Sequence, residues 1–544
     1  MFRFIYTYIQ EIIRVIYVLS LGTTMIGLSL SKAAMSTGEI ALASIWLIDM
    51  SVNYRRIGER FKELWKNKAA LVCISFFFMY VIGLLWTENY AFAMRDLRSK
   101  LPLLLFPLTI ATIKPFNVKE LKAIFYMFLL GGLVGTFFAL YAFFFEEITN
   151  IRQIVWFNFN IRFGLVILMA VVVSLWCFKH ETTKKKYWFL VLMSWFTGML
   201  VLMESMTAIC ILVVIVFFFG LRSIWLASRN IVRWGMLVLI FAAGGAFFLY
   251  LNHIDADFRP RESKNLLELD KTTAHGGVYQ HDTTSKELEN GYWTRIYICK
   301  PELREGWNKR STVNFDSMDY KSYFLSEALI RYLTGKGLRK DAEGVAALSD
   351  ADIRNIENGI ANHHYAKKSS IESRIRITFW EYYMWKELDF ASQTSLTQRF
   401  DFWRASFYTI KNNFWFGVGT GDMVDAQKAA YKEIKTLMPN PEISETPHNH
   451  YLIIFSTFGI FGFVWFLVIL IYPGIKTKRF RLPIYAAFFI VLTLSMFVEK
   501  LPITFFVIFN TVLLFGISDE RESLFKGQHF IDYFKPNENA RHSL

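Results

Sequence analysis

Several stretches of this chain are apolar without interruption for longer than a soluble fold tolerates. Ala69 to Trp86, Ala123 to Phe145 and Tyr451 to Tyr472 are each long enough to cross hydrocarbon as a helix. In lipid the backbone must satisfy its own hydrogen bonds within each segment, so runs of this kind imply helices. Composition agrees: hydrophobic residues make up 54% of 544 and charged ones only 19%, too apolar a balance for a soluble chain of this length. Spans are expected to start near Ile13, Gly38, Ala69, Leu101, Glu120, Arg162, Tyr187, Met206 and Arg233. After a long polar stretch, three more are expected near Asn449, Leu482 and Leu501. The expected fold class is therefore an all-α integral membrane protein with about 12 transmembrane helices and one large, mainly helical loop. The expected domains are an N-terminal bundle (1–252), the loop domain (253–447), C-terminal membrane helices (448–517) and a tail (518–544). The first apolar run, Val15 to Leu30, reads as a retained anchor rather than a cleaved signal, because further spans follow it.

The formal net charge of +14 could suggest nucleic acid, but its placement points to membrane orientation. Basic residues gather in short connections: Arg55, Arg56, Arg60, Lys62, Lys66 and Lys68; Lys184 to Lys186; Arg222, Arg229 and Arg233; and Lys476, Lys478, Arg479 and Arg481. A walk through the spans from a cytoplasmic N-terminus puts all four clusters inside, and no nucleic-acid partner is expected. It puts Glu88 to Ser99, Glu146 to Asn160 and the whole of Asn252 to Pro447 outside, with both termini in the cytoplasm. The four cysteines, Cys73, Cys177, Cys210 and Cys299, imply no disulfide framework, and Cys299 reads as an inert loop residue.

Within the loop, Tyr323 to Tyr332 and Asp352 to Tyr365 are amphipathic with helical period. A third helix is expected from Ser395, where Ser-Leu-Thr-Gln reads as a capping box, carrying Phe400, Trp403, Phe407 and Ile410 on one face. Gly417-Val418-Gly419-Thr420-Gly421 follows a helix rather than a strand, so it reads as a turn and not as a nucleotide-binding loop. Asp255-Ala256-Asp257 is a two-residue match to a metal-binding pattern that arises easily by chance, and His363-His364 lacks the partners of a zinc site. No metal or cofactor is expected.

Two segments then carry a resemblance. Arg399 opens the aromatic helix that leads into the glycine turn. Further on, Pro447-His448-Asn449-His450 is followed, nine residues after Asn449, by Gly459-Ile460-Phe461-Gly462. In this order and spacing the chain resembles the O-antigen ligase and O-antigen polymerase superfamily, most closely the ligases. The likeness is firm from Arg399 to Gly462 and elsewhere rests on span layout. It departs at Ser205-Met206, where many relatives have Ser-Arg. The resemblance implies a fold of the GT-C glycosyltransferase kind and a site at the periplasmic face of the bacterial inner membrane. It also implies transfer of a glycan from an undecaprenyl diphosphate carrier to an acceptor hydroxyl, on lipid A-core, another glycan or a protein, among membrane lipids. Breaking the anomeric bond leaves charge on a diphosphate, which arginines stabilise without a metal. Arg399, in the first turn of a capped helix, fits that role, since free N–H groups there favour an anion too. The resemblance assigns the acceptor's general base to His448, with Asn449 orienting the site and Trp403, Gly459 and Gly462 supporting it.

Each assignment has a plainer rival. Arg399 beside aromatics is also what a snorkelling arginine looks like, and His450 reads as an interfacial hydrogen-bonding residue. Arg162 opens a span from the outer face, either to bind carrier phosphate or as an anchor. Arg95, Arg98 and Lys100 form a basic outer loop, against the positive-inside trend, which points to an anionic ligand. Glu499 resembles an acidic residue of relatives, but a local pair with Lys500 is the favoured reading. Polymerase and protein oligosaccharyltransferase remain alternatives of the same family. A polytopic transporter or flippase would call for charges deep in several spans, where only Glu204 is a candidate.

Overall fold

A computed structural model describes residues 2–146, 154, 160–226, 230–263, 265, 267–320, 324–366, 371–388, 397–434, 436, 446–500 and 502–517. The chain divides into two compact units. One comprises Met1–Leu237, Phe402–Thr436 and Asn440–Leu544; the other comprises Val238–Asp401 and Leu437–Pro439.

The first unit is a helical membrane bundle. Its helices are α1 (Phe2–Leu30), α2 (Lys32–Val52), α3 (Ile57–Lys66), α4 (Lys68–Ile82), α5 (Tyr90–Lys100) and α6 (Pro102–Thr112). They continue with α7 (Val118–Phe145), α8 (Asn160–His180), α9 (Lys186–Leu202), α10 (Met206–Leu226) and the start of α11 (Asn230–Ala256). Every expected N-terminal span start meets a helix, and side-chain caps explain several starts. Ser31 accepts from the Ala33 and Ala34 N–H groups, Asn67 from Ala70, and Asn117 with Glu120 closes a capping box on α7. Close packing of α1 on α2 depends on small residues: a methyl at Gly27 would meet the Met35 backbone, and one at Gly38 would meet Thr24.

Among the described residues, seven helices are long and apolar enough to cross a membrane: α1, α4, α7, α8, α10, α11 and α19 (His450–Lys476). The chain is thus an all-α integral membrane protein. The expected spans at Leu101, Leu482 and Leu501 are shorter than anticipated: α6 has 11 residues, and α20 (Pro483–Ser495) and α21 (Ile503–Phe515) have 13 each. At 1.5 Å per residue, 13 residues cover only about 20 Å of a ~30 Å core. α21 is nonetheless buried along its length, at the centre of the bundle against α6 and α4 residues such as Phe76 and Phe106.

The second unit takes in most of the membrane helix α11 and has its own core, built on Leu303, Trp307, Leu329, Tyr332 and Ile356. It holds α12 (Lys300–Asn308), α13 (Leu325–Gly335), α14 (Ala342–Ala346), α15 (Asp350–Glu357) and α16 (Ile371–Leu388). A hairpin of β1 (Leu288–Glu289) and β2 (Tyr292–Trp293) turns at Asn290-Gly291, both with positive φ, as a type I′ turn requires. The expected helix to Tyr365 stops at Glu357, because Gly359 takes a left-handed φ of 68° and only a single 3-10 turn follows at His363–Tyr365. Helices α12, α14 and α16 were not anticipated. The expected cap at Ser395, the outer residues 147–153 and 155–159, and the tail from 518 lie outside the described residues. Asp255 pairs with Arg259, and Asp257 with Arg261 and Arg376, so both carboxylates of the Asp-x-Asp match are engaged by arginines. Cys299 is buried.

Candidate active site

α17 (Thr397–Asn412) ends at Asn413, where a glycine turn leads to α18 (Met423–Glu433). That turn docks on α19, which is broken at Gly459 (φ 64°, ψ −166°). A break inside a membrane helix strands carbonyls that only other protein groups can satisfy. Here Val418 N–H donates to Ser456 O and Gly419 N–H to Thr457 O, both at 2.9 Å, while Ile460 N–H donates to Phe414 O at 2.8 Å. The two backbones approach so closely that glycine is required on each side. A methyl at Gly459 would sit 2.2 Å from Trp415 O, and one at Gly417 would sit 2.4 Å from the Thr457 carbonyl. Thr420 extends the seam to the end of α4, its hydroxyl donating to Tyr80 O at 2.7 Å. The glycines of the motif therefore build a main-chain joint. Gly462 lies beyond it, where a methyl would meet Phe458 Cβ.

The joint fixes the head of α19. Asn449 is its N-cap, accepting from Leu452 N–H at 3.2 Å, and the His450 N–H donates to Met496 O at 2.7 Å. Trp403 Nε1 donates to Pro447 O at 3.2 Å, clamping the residue before His448. Between these ties His448 is held at φ 49°, a left-handed conformation that costs a non-glycine residue energy and is typical of functional positions. Its ring lies 5.9 Å from that of Phe402. Nδ1 stands 3.6 Å from Glu499 Oε2, within ion-pair range and just beyond a hydrogen bond.

Glu499 lies in the turn between α20 and α21, and its other oxygen faces Arg162 at 3.3 Å. Lys500 contributes its backbone N–H, at 3.1 Å. The expected side-chain pair with Lys500 is thus replaced by an ion pair to Arg162 and by the close approach of the His448 ring. Burial works to raise the Glu499 pKa, but His448, Arg162 and the Lys500 N–H outweigh it and hold the carboxyl below its usual range. Three residues singled out from sequence, His448, Glu499 and Arg162, therefore form one contiguous chain of charge.

The remaining candidates are placed differently. Arg399 is partly buried in the first turn of α17 and belongs to the second compact unit. The expected basic loop is the helix α5. Arg95 and Arg98 are exposed on it, whereas Lys100 is buried against Asp96 at 3.0 Å and lies over the Tyr80 ring. Burial pulls the Lys100 ammonium down to about 8 despite Asp96. His450 is not interfacial: it is buried edge-on to Phe466, and its ring nitrogens have no hydrogen-bond partner. Ser205, where relatives carry Ser-Arg, is buried beside Gly164. Phe402, three residues after Arg399, was not singled out for a role from the sequence.

The family model for O-antigen ligase matches residues 353–467. Over that stretch the chain is similar to the O-antigen ligase family. The match takes in Arg399, the glycine turn, His448-Asn449 and both glycines of α19. Members of this family are glycosyltransferase-like ligases and polymerases, and the chain is a multi-pass membrane protein. No curated protein matches the chain.

Proposed function

We propose that this protein is a ligase that moves a glycan from undecaprenyl diphosphate to a hydroxyl of lipid A-core at the periplasmic face of the inner membrane. The observation that carries the reading is the His448–Glu499–Arg162 chain at the head of α19, whose histidine lies inside the family match and next to its glycine joint. A carboxylate on one ring nitrogen of a histidine orients the imidazole and stabilises its charged form, which prepares the other nitrogen to take a proton. In this mechanism His448 Nε2 removes the proton from the acceptor hydroxyl as its oxygen attacks the anomeric carbon. The diphosphate leaves with the bonding electrons, its charge met at the outer end of α8 by Arg162, and the motif resemblance assigns Arg399 to anion stabilisation as well. Arg95 and Arg98, exposed on α5, add a positive approach for the carrier. Among the described residues no three His, Cys, Asp or Glu side chains are grouped to hold a metal, so the charge is assigned to arginine.

Deletion of the gene followed by glycan analysis tests the reading. Full-length polymer left on the carrier is the expected result, whereas core bearing one repeat would make the protein a polymerase. Loss of glycan from proteins alone would make it an oligosaccharyltransferase. Purified protein in detergent is expected to turn over in EDTA; activity lost to chelator and restored by magnesium or manganese would overturn the arginine assignment.

A further inference from the structure

The second unit contains a cavity of about 290 Å³, lined by Asp257, Arg261, Asn290, Tyr292, Lys336 and the His363-His364 pair. Most of this lining precedes the residues matched by the family model. Its walls are rigidly built. Asn290, at the hairpin turn, donates to Gly335 O at 2.8 Å and accepts from Asn362 at 3.2 Å, and Arg261 N–H donates to Gly291 O at 2.8 Å. Gly337, with a left-handed φ of 69°, lets the Tyr292 ring lie flat against the backbone.

The lining excludes several ligand classes. Its cations are already compensated, Arg261 by Asp257 and Lys336 by Asp352 at 2.7 Å, which leaves little net charge for an anion. The polar walls disfavour an acyl chain, and among the described residues no metal-holding group is present. What remains is a neutral ligand rich in hydroxyls. One wall group asks for such a ligand directly: His363 Nδ1 is buried with no hydrogen-bond partner. Burial pushes the His363 pKa down to about 4, so at neutral pH the ring is uncharged and offers one donor and one acceptor, the same pair that a hydroxyl presents. Tyr292 adds an aromatic face for the C–H side of a sugar ring, and the volume lies at the small end of ligand pockets.

We infer that this cavity is a saccharide subsite that seats one uncharged sugar ring of a glycan substrate. The inference rests on the glycan-transfer reading for the identity of the sugar, and two sources share the chemistry: the core oligosaccharide of the acceptor and the polymer of the donor. Full-length protein in nanodiscs, titrated calorimetrically with delipidated core oligosaccharide and separately with delipidated O-polysaccharide, tests it. One of the two is expected to bind, which identifies the source. Tyr292→Ala and His363→Leu are each expected to weaken that binding about tenfold, while Tyr292→Phe stays within about twofold. His363→Leu is the decisive variant if Tyr292→Ala melts at a lower temperature, since an apolar side chain suits a ring with an unpaired buried nitrogen. Binding of neither glycan, or equal binding by parent and both weakened variants, would overturn the subsite. If binding depends on Tyr292 but no transfer is found, the transfer reading fails and the subsite stands.

Discussion

A histidine that must accept a proton from a sugar hydroxyl needs one ring nitrogen steadied and the other presented to substrate. In the proposed mechanism Glu499 supplies the steadying group, and Arg162 stands 3.3 Å from its other oxygen. Glu499→Gln is expected to keep the shape but lower transfer tenfold or more, by analogy with the loss on removing an orienting carboxylate, measured on purified enzyme at matched expression. His448→Ala and Arg399→Ala are expected to lose transfer by about a hundredfold or more. Arg399→Lys should fail with them, because lysine lacks the planar fork for phosphate. Acid gives a second readout. The folded Glu499 carboxyl is held below its unfolded value, about 4.3 for a model glutamate. Its stabilisation is therefore complete above that value and is lost as pH falls through the lower, folded one. The parent should melt above Glu499→Gln at neutral pH, and the two melting curves should converge only in acid. His450→Ala should act through stability rather than chemistry, since the ring is buried against Phe466. A lowered melting temperature with kcat per folded molecule preserved would bear this out.

At the scale of elements, the joint between the glycine turn and α19 makes the motif's spacing intelligible. Nine residues separate Asn449 from Gly459 because α19 must complete its outer turns before the break meets the turn at Gly417–Gly421. Gly459→Ala and Gly417→Ala each place a methyl on opposing main chain at positive φ. Each should cost more than about 1 kcal/mol and reduce folded protein in the membrane, read by detergent melting. Val418→Pro should do the same by removing the donor to Ser456 O. Helix starts and the His448–Gly462 motif were legible in the sequence because hydropathy length and residue spacing are local signals. The Arg162–Glu499 pair joins residues 337 positions apart, and no local pattern announces such a contact. The short helices α12 and α14 escaped notice because runs of nine and five residues hardly establish a period. α6, α20 and α21 were read as full spans because apolarity alone does not separate a buried core helix from a spanning one.

For the molecule as a whole, the proposed topology places the loop from Asn252 to Pro447 in the periplasm. Buried Cys299 cannot report on it, but Lys309, whose side chain is 69% exposed, can. Lys309→Cys should react with an impermeant thiol reagent once the outer membrane is permeabilised, and reaction only after lysis would reverse the assignment. The Thr420 contact to α4 also imposes an order in time. Its two ends are 340 residues apart, with the Val238–Asp401 part of the second unit between them. At roughly 5–20 residues per second of synthesis, the outer end of α4 waits on the order of tens of seconds for its partner. During that interval Tyr80 O and Gly83 O face the nascent bundle without the hydroxyl and N–H that later cover them. A ribosome-stalled chain that ends before Thr420 should therefore show the α4 end open to a lipid-phase crosslinker, and one stalled well beyond it should not.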